Sequence, residues 1–311
     1  MNAKFSIGVD IGGTNTDIGI VDANGRCIAS SGFLTATYND PALYVDHLVE
    51  TIRSLMKLHN VETITGIGVG VPNGNYYTGC IDNAVNLNFK GRVCLRDLIK
   101  ERFNTEVVIT NDANAAAYGE MIYGGAKGMK HFIMITLGTG VGSGLVVDGK
   151  LVYGHDGYAG ELGHAIILPD GRLCGCGRKG CLEQYTSAIG IKKSYLELSN
   201  KKYEDHADEV DSRMISELAV AGDAIAKKTY EMTGEILGLA IANAVTYTSP
   251  EAIFLMGGPV KAGAILLEPL KASFEKNLLF IYKDKVKILT SQLNENEAAI
   301  LGAAALTNKS E

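Results

Sequence analysis

Four residues with metal-binding side chains crowd the segment Gly160–Glu183: His164, Cys174, Cys176 and Cys181. One imidazole and three thiols form a complete tetrahedral set for Zn2+, and Gly175, Gly177 and Gly180 leave the backbone free to wrap an ion. With every position filled by protein, no place is left for a reactive water, so the pattern predicts a structural zinc. Glu161 lies three residues before His164, and Glu183 two after Cys181. An isolated Glu is ordinarily a surface charge, but a metal-braced loop is also a rigid mount for acceptors that read a ligand's hydroxyls.

Two glycine-rich turns carry a second kind of chemistry. Phosphate oxygens need backbone N–H groups that approach closely, and glycine permits the approach. Gly12-Gly13-Thr14 and Gly138-Thr139-Gly140 suit that role. Neither is a P-loop, because the Lys-Ser/Thr ending is missing, and neither is a dinucleotide fingerprint, because each leads from strand to strand rather than from strand to helix. Asp10, just before the first turn, could hold Mg2+ directly or through water, or cap the turn. Asn111-Asp112 stands where an apolar strand stops and an Ala-rich helix begins. Asp112 there suits two compatible roles, N-cap of the helix and acceptor of a proton from an attacking hydroxyl.

The elements that position these groups follow from periodicity. Residues 4–33 read as a three-stranded meander around the first glycine turn, and 132–153 repeat its order and lengths around the second, the pattern of an internal duplication. Leu48, Ile52 and Leu55 predict an amphipathic helix over 41–58. The runs ending at Pro72 and Asn111 predict strands, Ala113–Met121 a helix, Met214–Tyr247 one long helix or two abutting ones, Ala252–Met256 a strand and residues 297–307 a closing helix. The sequence therefore predicts an α/β protein of two similar lobes with a cleft between them: 1–112 plus the C-terminal helix (about 297–311) as the first lobe, 113–296 with the zinc loop as the second.

Bulk properties agree with an enzyme of this size. A chain of 311 residues exceeds the length at which single cores divide, about 250–300 residues. The net charge of −6, with acidic and basic residues interspersed, gives no footprint for nucleic acid. The start lacks a signal-like apolar run and no stretch reaches membrane-span length, so a cytoplasmic protein is expected, with no membrane partner. Six cysteines are too few for a disulfide scaffold, and three of them crowd together, which favours a metal over bridges.

With these residues in place, the chain resembles the ROK family of sugar kinases and repressors, within the actin/hexokinase-like ATPase fold. The marks are DIGGTN, TNDANAAAYGE, LGTGVGSG and, most specific, GELGH followed by CGCGRKGCLE. The resemblance implies that Asp112 is the catalytic base and that Gly12, Gly13, Thr14, Gly138, Thr139 and Gly140 cradle phosphates. It places Gly257 and Gly258 beside the adenosine, and implies sugar contacts at Gly74, Asn86, Asn111, Asp112, Glu161, His164 and Glu183. The implied reaction moves the γ-phosphoryl group of ATP, with Mg2+, to a hexose, O6 of glucose first. Kinases of N-acetylmannosamine, N-acetylglucosamine, fructose or allose share the pattern. The family's sugar-sensing repressors carry an additional DNA-binding module before the first strand, for which the sequence reading finds no room. A sugar-binding protein without catalysis is disfavoured by the presence of Asp10, Asp112 and both glycine turns. Small-molecule sugar and ATP are the expected partners, and the resemblance is compatible with a homodimer.

Overall fold

The computed structural model describes residues 5–82, 87–293 and 297–307. They divide into two compact α/β units. The first runs to Met129 and adds Gly149–Gly160 and the C-terminal segment from Gln292; the second comprises Lys130–Asp148 and Glu161–Ser291.

The first unit is built on a five-stranded sheet in the spatial order Cys27–Leu34, Asn15–Asp22, Phe5–Ile11, Ile67–Gly70, Val107–Thr110. The first three strands form the expected antiparallel meander, and the last two add in parallel. Ile7, Val9 and Ile11 alternate with smaller residues, and all three are fully buried with Ile18 and Ile20, which fixes register by burial. The helix Pro41–Leu58 begins where Asp40 accepts the N–H of Ala42, and it buries Tyr44, Val45, Leu48, Val49, Ile52, Leu55 and Met56.

Ala298–Ala305 is the closing helix. It lies so close to the sheet that a methyl group at Gly8 would come within 2.0 Å of the Ile300 carbonyl, and one at Gly68 within 1.8 Å of that of Ala303. The first unit extends past Asp112 because the next helix, Asp112–Tyr123, packs on the same C-terminal helix. A methyl group at Gly119 would lie 2.7 Å from Gly302 Cα, and this contact keeps Asp112–Met129 in the first unit.

The second unit repeats the pattern through Val141–Val147, Phe132–Leu137, Ala252–Met256 and Lys287–Thr290. The first pair is antiparallel and the others parallel, so each unit carries its glycine turn at the end of a meander strand. The long helical run resolves into Ser212–Ala221 and Ala224–Thr248. Gly222, at φ 104°, ends the first helix, and Asp223 caps the second by accepting the Ala226 N–H. Ala264–Asn277 is a helix despite Pro269 inside it, an element that proline hides from sequence reading. The ring is accommodated opposite Gly234, where a Cβ would approach Pro269 Cγ to 2.8 Å. Among the described residues, no helix is long and apolar enough to cross a membrane.

Candidate active site and metal centre

In the first unit the sheet brings two carboxylates together. Asp10, next to last in the first strand, pairs directly with Gly70, and Asp112 opens the helix that follows Val107–Thr110. A methyl group at Gly70 would stand 3.5 Å from Asp112 Cα and 3.9 Å from Asp10 Oδ1, so both acids border the space the glycine leaves open. Burial, then the neighbouring charges of Asp112 and Asp17, push the Asp10 carboxyl up to about 7. Asp112 opens to solvent, yet the protein packed around it strips enough hydration to raise its carboxyl above the ordinary range, against the pull of the Ala113 N–H.

The helix N-cap is Asn111, not Asp112: Asn111 Oδ1 accepts the Ala113 N–H at 2.9 Å. Asp112 is the first helical residue, and its Oδ1 shares that donor at 2.8 Å. The Ala113 N–H and its own N–H thereby orient the side chain.

Gly74 follows the strand Ile67–Gly70, held by its N–H to the Val71 carbonyl at 3.0 Å. A side chain there would collide with the Thr110 carbonyl, 2.5 Å from its Cβ, so Gly74 sits against the strand that delivers Asn111 and Asp112. Asn86 lies outside the described residues. The Gly12-Gly13-Thr14 turn closes through the Gly12 N–H to the Asn15 carbonyl at 2.8 Å, leaving Thr14 exposed.

In the second unit the Gly138 N–H closes its turn on the Gly140 carbonyl at 3.0 Å, with Gly138 and Thr139 exposed. Gly257, at φ 114°, sits so near the Leu137 carbonyl that a Cβ would meet it at 2.0 Å; Gly258 follows, exposed. Glu183 starts a short helix, Glu183–Thr186, and its Oε2 accepts the Val141 N–H at 3.1 Å. Glu161 is exposed, 4.0 Å from His164 Nε2.

The four metal-binding side chains converge in this unit: one donor atom from each of His164, Cys174, Cys176 and Cys181 lies within 4.8 Å of the others. His164 Nδ1 is 3.6 Å from Cys174 Sγ, and Cys176 Sγ is 3.6 Å from Cys181 Sγ. A tetrahedron of thiolates at about 2.3 Å from a zinc ion has edges of about 3.8 Å, so the donor set fits a tetrahedral ion. Burial acts to raise the Cys176 thiol, but the N–H groups of Arg178 and the neighbouring thiols outweigh it and bring it down to about 6. Cys181 is pushed up to about 12 by burial and its neighbours. One proton leaves readily, and the next calls for a metal to replace it.

Sequence reading missed two supports of this machinery. Arg172 donates to both carboxylate oxygens of Glu197, to Ser194 Oγ and to the carbonyls of Gln184 and Gly190, and lies over the Tyr185 ring. It pins the metal loop to the helices after Glu183, an inward turn that nothing in GRLCGCGRKG announces. Cys80 and Cys94 are joined in a disulfide, where the cysteine count had favoured metal over bridges. They are the next opposed pair after Ile81↔Val93 and Asp82↔Arg92, a relation set by strand register and invisible in spacing alone.

The chain is 33% identical to a glucokinase of Halalkalibacterium halodurans, covering 100% of this chain and 97% of that one. It is 28% identical to the xylose repressor of Bacillus subtilis over 96% of this chain and 76% of the repressor. A crystal structure of a ROK family glucokinase from Streptomyces griseus, in complex with glucose and AMPPNP, superposes with a TM-score of 0.82 at 32% identity, covering 97% of this chain and 98% of that one. The two-lobed α/β architecture is that of these kinases. The ROK family model matches residues 6–310, and the chain belongs to the ROK family.

Proposed function

We infer that the protein is an ATP-dependent kinase of glucose, transferring the γ-phosphoryl group to O6. The observation that carries the mechanism is the pair of acids bordering Gly70, Asp10 beside a glycine turn and Asp112 at the start of a helix, close enough for the charge of Asp112 to raise the Asp10 carboxyl. Full-length similarity to glucokinases supports the choice of glucose.

In this reading Asp112 accepts the proton of the sugar hydroxyl as the oxygen attacks the γ-phosphorus and the bond to the β-phosphate oxygen breaks, releasing ADP. A raised carboxyl suits that role, since a base works best when its pKa nears the working pH. Gly12, Gly13, Thr14, Gly138, Thr139 and Gly140 offer backbone donors to the phosphates, and Gly257 and Gly258 leave room beside the nucleoside. Asp10 would hold Mg2+, which supplies charge neutralisation when bound. Gly74, Asn86, Asn111, Glu161, His164 and Glu183 orient the sugar. His164, Cys174, Cys176 and Cys181 would hold Zn2+, whose contribution is to brace the loop bearing Glu161 and Glu183. An ATP-consuming sugar kinase is expected in the cytoplasm.

The test is ADP release from ATP with a panel of glucose, mannose, fructose, allose, N-acetylmannosamine and N-acetylglucosamine. Glucose should give the highest kcat/KM. A panel led by fructose or by an N-acetyl sugar would overturn glucose as the substrate, and no turnover with any sugar would overturn the kinase.

A further inference from the structure

We propose that Asn75 is a positioning residue for the sugar, one that locks the Pro72–Asn75 turn to the chain leading into Glu161. This rests on the sugar-kinase reading. Asn75 is polar yet 2% exposed, and every part of its side chain is engaged. Nδ2 donates to the Asp156 carbonyl at 2.6 Å, while Oδ1 accepts the N–H groups of Tyr77 at 3.0 Å and Thr78 at 3.1 Å. The first bond joins two segments 81 positions apart; the other two fold the turn around the amide.

The chain around it is shaped for that contact. Gly157 stands at φ 93°, and a Cβ there would come 2.5 Å from Asn75 Nδ2, so glycine is needed both for the conformation and for the approach. Two further ties run in parallel. The Tyr77 hydroxyl donates to the Gly154 carbonyl at 3.0 Å, and the rings of Tyr76 and Tyr153 stack at 4.1 Å and 6°. Three successive side chains thus grip residues 153–157.

What they grip matters because of what adjoins each end. Gly74, immediately before Asn75, lies against the Thr110 carbonyl, next to Asn111 and Asp112. Residues 158–160 run from the gripped segment directly into Glu161. Asn75 therefore sets the register between the turn beside the base and the start of the GELGH segment. Only an amide meets both demands, because a carboxylate at this position would set oxygen against the Asp156 carbonyl, whereas serine would still accept from the turn but could not reach across.

The test uses N75S and N75D in the full-length protein, with Y77F as a milder variant that removes only the bond to Gly154. Steady-state kinetics in glucose and in ATP, measured well below each variant's Tm, are paired with hydrogen exchange of the 153–160 amides. We expect N75S and N75D to lose about ten- to a hundredfold in kcat/KM for glucose, with KM for ATP within about twofold and faster exchange in 153–160; Y77F should move the same way by less. A lowered Tm with wild-type kcat/KM for glucose and unchanged exchange would show a merely structural residue and overturn the proposal. If N75S and N75D do not fold, an unchanged Y77F in both readouts overturns it. Wild-type protein that phosphorylates no sugar sinks the kinase reading instead, and the exchange measurement still decides whether Asn75 holds the segment.

Discussion

Glu183 bridges the metal cluster and the second glycine turn: its Oε2 accepts the Val141 N–H at 3.1 Å, and its Oε1 lies 3.9 Å from Cys174 Sγ. In the sequence Glu183 stands two residues after Cys181, beside the metal loop. The geometry ties the same carboxylate to Val141, the residue that follows Gly138-Thr139-Gly140. Removing the metal should therefore disturb both substrates.

Cys176→Ser checks this, because a hydroxyl is a poor replacement for a thiolate ligand. Zinc measured per chain should fall, KM for glucose should rise about tenfold, and KM for ATP should rise about two- to tenfold, the worth of one hydrogen bond. Two Glu183 variants separate the effects. Glu183→Gln keeps an oxygen for the Val141 N–H and should spare ATP while weakening glucose; Glu183→Ala should weaken both. Wild-type KM for ATP in Glu183→Ala would break the link.

Asp112→Asn should lower kcat by about 10²–10⁴-fold, the range for loss of a general base. The amide fits the first turn of the helix, where Asn111 remains the cap, so folding and the binding of glucose and ATP should persist. Isothermal titration of the variant with each ligand, beside its turnover, tests this. More than about a tenth of wild-type kcat, well above the range for a lost base, would remove Asp112 from that role.

The Cys80–Cys94 bridge closes a loop of separation 14 around the short pairing of Ile81–Asp82 with Arg92–Val93. A loop of about 15 residues limits the unfolded chain by about 3 kcal/mol. Cys80→Ser should accordingly lower Tm by roughly 6–12 °C, and the wild type should show a comparable drop when a thiol reductant is added. The variant's Tm should not respond to reductant. Equal Tm values in all four conditions would show that the bridge contributes nothing.

Local pattern made much of this legible. The meanders, the Pro41–Leu58 helix and the duplication follow from alternation and helical spacing, and the Cys₃His cluster from residue type alone. Less was visible where position depends on contacts distant in sequence. Asp112–Met129 joins the first unit because Gly119 meets Gly302, a contact that no local reading supplies. Pro269 hid a helix because its tolerance depends on Gly234 on the helix packed against it. Asp112 suggested an N-cap, but its neighbour Asn111 took the position and left Asp112 directed by a shared donor. Asn75 gave no signal in the sequence, since its partner carbonyl lies 81 residues away.

Asp10 gives the sharpest pH signature. Its carboxyl is pushed up to about 7, by burial first and then by Asp112 and Asp17, whereas an aspartate in the unfolded chain titrates near about 3.9. Between these values the native state holds a proton that the unfolded state has lost, so stability contributed by Asp10 is fully present below about pH 4 and is lost as pH rises towards 7. Asp10→Asn carries no such loss. The Tm of the variant minus that of wild type, measured without Mg2+, should therefore grow from about pH 4.5 to 7.5 and then level off, tracking a stability difference of at most about 4 kcal/mol at 1.36 kcal/mol per pKa unit. The same variant should lose kinase activity, because it gives up the proposed magnesium ligand. Asp112 works in the opposite sense for turnover: its raised carboxyl must be ionised to accept a proton, so kcat/KM for glucose should fall on acidification at a pH above the ordinary aspartate range. A Tm difference that stays flat across this window would mean that Asp10 remains ionised in the folded protein, and that the two acids do not oppose each other across Gly70.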